Sequence, residues 1–170
     1  MVWFRRSLAV VVVVAFVLAM GAFAKAQDNK DLELKACGSK DKEVHYTAGT
    51  DKSQHPTPAQ PADKALIYVL RPSMLGNKIQ TKLAVDGEWK GVNRGNNYFF
   101  FTLDPGEHYF CSLAENHSLL TLKVEAGKTY YIQQHVEMGI MKARNKIDQM
   151  TEEEGKKKLE DARLATWTVK

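Results

Sequence analysis

The side chains of this chain best suited to chemistry are five histidines, two cysteines and one serine–lysine pair. His45, His55, His108, His117 and His135 are scattered, and none has a partner at the His-x-x-x-His spacing that sets two imidazoles on one helix face. Metal sites need three or four converging ligands, so this spacing predicts no metal centre. His108 and His135 are the pair that strand packing would bring nearest, on an outer face. Ser39-Lys40-Asp41-Lys42 matches the Ser-x-x-Lys spacing of penicillin-binding-protein nucleophiles, but its companion motifs are missing. It also sits in a polar stretch with no core to exclude water. No Gly-x-Ser-x-Gly elbow, phosphate-cradling loop or dinucleotide fingerprint occurs. The residues predict a non-enzymatic protein with no catalytic residue and no cofactor.

Cys37 and Cys111 have no near cysteine or histidine to form a metal knuckle. An even count in an exported chain predicts one disulfide between them; two separate buried thiols are the alternative. The aromatic cluster of Trp89, Tyr98, Phe99, Phe100, Phe101, Tyr109 and Phe110 reads mainly as core, since a run apolar on both faces marks a buried strand. Trp89 is the exception. It follows a tight turn and stands between Glu88 and Lys90, so a candidate ligand surface is Trp89 with Arg94 and Asn96.

The N-terminus predicts where these groups work. Arg5 and Arg6 precede an uncharged run from Leu8 to Ala24, and Ala24-Lys25-Ala26 supplies small residues at the two positions a signal peptidase inspects. That layout predicts a signal peptide over residues 1–26, cut between Ala26 and Gln27, and a periplasmic or secreted product. An uncleaved membrane anchor is the alternative. Leu34-Lys35-Ala36-Cys37 resembles a lipoprotein cleavage site but is separated from the apolar run by charged residues. A membrane is therefore expected only if the leader stays on or Cys37 is lipidated. The full chain has 24 basic and 20 acidic residues; without the three bases of the leader the excess is a single positive charge. A field that weak predicts no nucleic-acid partner.

The elements that would position these residues are mostly strands. Residues 27–64 are a polar segment, in which Glu43–Thr47 is a candidate edge strand, followed by an extended proline-rich linker over Asp51–Lys64. The domain spans 65–165. Ala65–Arg71 and Tyr98–Leu103 are apolar on both faces and read as central strands. Asp86-Gly87 and Asp104-Pro105-Gly106 are turn sequences. Leu120, Leu122 and Val124 alternate with polar neighbours, the period of a half-buried strand, and Thr129–Val136 follows a turn at Ala126-Gly127-Lys128. Ile140–Met150 is a candidate last strand. Thr151-Glu152-Glu153-Glu154 is a capping box opening a short helix, weakened by Gly155. Residues 166–170 read as a tail. Turn spacing predicts a mainly β protein: an antiparallel β-sandwich of about seven strands with one short C-terminal helix.

Val85-Asp86-Gly87, Gly95, Tyr98-Phe99, Leu103-Asp104-Pro105-Gly106-Glu107-His108 and Glu125-Ala126-Gly127-Lys128-Thr129-Tyr130-Tyr131 together resemble the bacterial domain of unknown function 2846, over about residues 64–165. The resemblance implies an exported β-sandwich, often a lipoprotein, similar to PEGA and carboxypeptidase-regulatory domains. It implies no activity, so no catalytic residue is carried over. The expected role is protein interaction or assembly in the cell envelope; the alternative is a glycan-binding module built on Trp89.

Overall fold

Strands apolar on both faces stand in the middle of one sheet, and strands apolar on one face build a second sheet across from it. The structure, a computed structural model, describes residues 28–39, 44–138 and 143–170. The chain divides into two compact units, residues 1–32 and Glu33–Lys170. Of the first, the described residues 28–32 are helical. The expected signal peptide, its Ala26–Gln27 junction and the lysines of the Ser-x-x-Lys stretch lie outside the described residues.

Helix α1 (residues 28–37) ends at Cys37, and its residues 33–37 belong to the second unit. Ten strands and a second helix follow among the described residues: β1 (Tyr46–Asp51), β2 (Ala65–Arg71), β3 (Thr81–Val85), β4 (Glu88–Asn93), β5 (Asn97–Leu103), β6 (Gly106–Leu113), β7 (His117–Val124), β8 (Thr129–Met138), β9 (Ala143–Met150), α2 (Glu152–Asp161) and β10 (Arg163–Val169). They form a six-stranded sheet, β1-β10-β5-β2-β8-β9, and a four-stranded sheet, β4-β3-β6-β7. Neighbours are antiparallel except β2 with β8 and β10 with β5, which run parallel.

Ile67, Val69, Leu83, Val85, Phe99, Phe110 and Ile132 fill the space between the sheets. The outer face of the larger sheet buries Leu66, Tyr68, Leu70, Tyr98 and Tyr131 under Leu159 and Ala162 at the α2 end. The Thr151 hydroxyl accepts from the Glu154 N–H and the Glu154 carboxylate accepts from the Thr151 N–H, so the expected capping box is formed. The outer face of the smaller sheet packs Ala84 and Cys111 against Ala36 of α1.

One end of the sandwich core is polar. Fully buried Gln134 accepts from Thr81 Oγ1 (3.2 Å) and Asn93 Nδ2 (3.1 Å) and donates to Ser112 Oγ (2.9 Å). Arg71, also fully buried, donates to the carbonyls of Leu75 (2.9 Å), Gly76 (2.8 Å) and Ile79. Burial pushes its guanidinium down to about 10, far enough above neutrality that it stays charged.

The sandwich is of the expected kind, with ten strands where about seven were expected. The edge strand expected at Glu43–Thr47 runs instead over Tyr46–Asp51, up to the start of the stretch read as linker. The residues read as a tail form β10 through Val169, pairing with β1 along its length and with β5 at Arg163 and Leu164. Its partners come from distant parts of the chain, so no local turn announces it. Antiparallel pairing of neighbours was expected from short loops; the two parallel pairs join strands far apart in sequence and escape that rule.

Candidate functional site

Asp86-Gly87 closes the β3–β4 hairpin with positive φ at both residues, 53° and 78°, as a tight primed turn requires. The Gly87 N–H donates to the Ala36 carbonyl (3.1 Å), so the turn satisfies one of the free carbonyls at the end of α1. Cys37 is bonded to Cys111 next door. Lys35 lies over the Tyr109 ring, 3.8 Å from its centroid, and Glu33 pairs with His117. The end of α1 is thereby fastened to the outer face of the smaller sheet at several points.

A groove of about 650 Å³ opens beside this fastening. Its lining combines apolar Val44, Ala84, Trp89, Leu113 and Val169 with Cys37, Gly38 and Gly87 and with polar Lys82, Glu88 and His117. Ser39 and Val44, the described residues on either side of 40–43, both line it. Trp89 is half-buried. Its indole stacks on Tyr46 (centroids 5.7 Å apart, planes at 25°) and meets Trp167 edge-on (5.5 Å). Gly91, one pleat further along β4, leaves the space that Trp167 occupies: a Cβ there would stand 2.7 Å from its ring. Trp89 Nε1 is closed off from solvent without a hydrogen-bond partner among the described residues.

The structure does not bring Trp89 together with Arg94 and Asn96. Strand β4 carries the chain away from Trp89 to its end at Asn93. Arg94 and Asn96 line a separate pocket of about 220 Å³ with Thr50, Lys52, Met74, Asn77, Gly95 and Arg163. The three-residue surface expected from the sequence is thus two sites. His108 and His135 are also apart, on different sheets: His108 is held by Asp86 (2.6 Å) and the Asp104 carbonyl (2.9 Å), and His135 by Asp148 (2.9 Å). Among the described residues no three His, Cys, Asp or Glu side chains converge as a metal site would require.

Val44, Lys82, Leu113, His117 and Val169 escape the sequence reading of the groove, as do Lys52 and Arg163 in the second pocket. Leu113 has a signal, since it alternates with Phe110 and Ser112 onto the face of Cys111. The others depend on pairing between distant strands and have none.

Displaced titrations are found at the surface and in the core of the sandwich. Hydrogen bonding between Lys64 and Asp104 raises the lysine and lowers the aspartate; Glu125 and Lys128 do the same for each other. All four are surface groups outside the groove. Burial raises the phenols of Tyr68, Tyr98 and Tyr131, which face α2 on the far side of the larger sheet.

Compared with known families, residues 61–146 match DUF2846, described as a protein of unknown function. The chain belongs to this family. An uncharacterized protein of Haemophilus influenzae is 31% identical over 100 residues, which cover 58% of this chain and 60% of that protein. No solved structure matches. The DUF2846 match takes in β2 to β8 and the first half of β9. It therefore includes the disulfide partner Cys111, Trp89 and Arg94, while Cys37, Val44, Lys52, Arg163 and Val169 lie outside it.

Proposed function

We infer that this chain is a non-catalytic recognition module of the bacterial cell envelope that takes an apolar segment of a partner protein into the groove beside Trp89. The observation that carries the reading is the groove itself. Its volume of about 650 Å³ falls within the range of specific ligand sites, and a mainly apolar lining with a few polar groups is the composition of recognition surfaces. Its walls are a disulfide, a hydrogen-bonded helix end and a tight hairpin, so little ordering is left for binding to impose. The leader-like N-terminus and the bonded cysteines favour export.

A photoreactive amino acid placed at Glu88 or His117, on the groove, and at exposed Lys123, on β7, tests this in living cells. A defined protein adduct from the two groove positions and none from position 123 is expected. No adduct, or the same adducts from all three, rejects the reading. Tyr46 already covers one face of the Trp89 indole, which weighs against the glycan alternative. Glycan-array binding abolished by Trp89→Ala would restore it. A reporter active only outside the cytoplasm, fused after residue 26, tests export separately.

A further inference from the structure

Lys52, Arg94 and Arg163 come from three places in the chain: just after β1, between β4 and β5, and at the start of β10. They line one pocket of about 220 Å³ with Thr50, Asn77 and Asn96, and no acid is in its lining. None of the three cations pairs with a carboxylate among the described residues. The acids nearest in sequence are otherwise placed. Asp51 accepts from both Ser53 N and Ser53 Oγ (2.7 Å each), bonds that hold its carboxyl below the ordinary range. Asp161 offers its backbone carbonyl to Asn96 Nδ2 (2.9 Å).

Arg94 also gives little of its hydrogen-bonding capacity to the rest of the fold: its Nε is closed off from solvent and has no partner among the described residues. The C-terminal end of α2 accounts for one of the cations, Arg163, through its partial negative charge. Lys52 and Arg94 belong to neither end of that helix.

We propose that this pocket binds a phosphate-type oxyanion, gripped by the guanidinium groups of Arg94 and Arg163 and the ammonium of Lys52. Guanidinium forks match such oxyanions in geometry, and the lysine adds a point charge. The pocket is smaller than sites that enclose a whole organic ligand, so its occupant is an anionic group: free phosphate, or the phosphoryl head of a larger molecule. The groove and this pocket share no lining residue, so the proposal stands or falls apart from the groove reading.

Calorimetric titration of the full chain with inorganic phosphate, at fixed ionic strength, tests it. One saturable site is expected. Lys52→Gln and Arg163→Gln, at exposed positions, each weaken it about tenfold, as expected for losing one charged hydrogen bond. Arg94→Gln weakens it more, and Lys123→Gln leaves it unchanged. A parallel arm floats the chain with phosphatidylglycerol or phosphatidylcholine vesicles. Flotation with the anionic vesicles alone, lost in the same variants, assigns the phosphoryl group to a lipid; saturable phosphate binding without flotation assigns it to a soluble ligand. Absence of both, or affinities the same in Lys52→Gln and Arg163→Gln as in the parent, overturns the proposal.

Discussion

Gly155 shows how a residue's apparent weakness depends on what stands next to it. In the first turn of a helix, glycine costs about 1 kcal/mol relative to alanine. Here a Cβ would lie 2.2 Å from the Tyr131 ring, so the glycine is what lets α2 lie against the larger sheet. Gly155→Ala is expected to destabilise by about 1–3 kcal/mol in urea unfolding, against the direction helix propensity alone gives. Arg71 carries a larger share. Arg71→Leu leaves the carbonyls of Leu75, Gly76 and Ile79 without their donors and should cost about 3 kcal/mol or more by the same measurement. Tyr98 sets an alkaline limit. Its phenol is pushed up to about 12 by burial, against about 10 in an unfolded chain, so the unfolded state ionises first. The stabilisation is whole below pH 10 and drains away as pH rises towards 12, by up to roughly 3 kcal/mol. Urea midpoints at pH 9 and pH 11.5 should fall further for the parent than for Tyr98→Phe.

At the scale of elements, the end of α1 depends on its covalent tie. The bond from Cys37 to Cys111 closes a separation of 74 residues, which the chain-entropy account values at about 4 kcal/mol as an upper figure. Replacing both cysteines by serine should lower the unfolding free energy by up to that amount, and titration of denatured, unreduced parent should find no free thiol. Much of this level could be read from residues alone. β2 and β5 were legible because both their faces are apolar, β7 because it alternates, the β3–β4 turn because Asp-Gly accepts positive φ, and α2 because Thr151 and Glu154 stand at capping distance. β1 was legible only in part, at Tyr46 and Thr47, and β10 was not, since each finds its partner across the whole domain. The candidate site failed for a related reason. Trp89, Arg94 and Asn96 looked adjacent because they are close in sequence, but strand β4 separates them, with Trp89 in the groove and the other two in a second pocket.

At the scale of the whole second unit, helix residues cover part of the outer face of each sheet. On one side the two sheets are fastened edge to edge by side chains. Asn116 Oδ1 accepts from the Asn145 N–H (2.6 Å), its Nδ2 donates to the Asn145 carbonyl (2.9 Å), and Ser118 Oγ accepts from the Ile147 N–H (3.1 Å). Asn116→Ala should therefore lower hydrogen-exchange protection at β7 and β9 before it affects β2 and β5, a pattern exchange mass spectrometry can resolve.

The position of β10 bears on when this chain can finish folding. Among the described residues β1 pairs with the larger sheet through β10, and Tyr46 meets Val169, made more than a hundred residues later. At ordinary elongation rates the interval on the ribosome is roughly 6–25 s. Throughout it the nascent β1 segment has no docking partner and the flank of β5 stands bare, a window in which a chaperone or a neighbouring chain can reach it first.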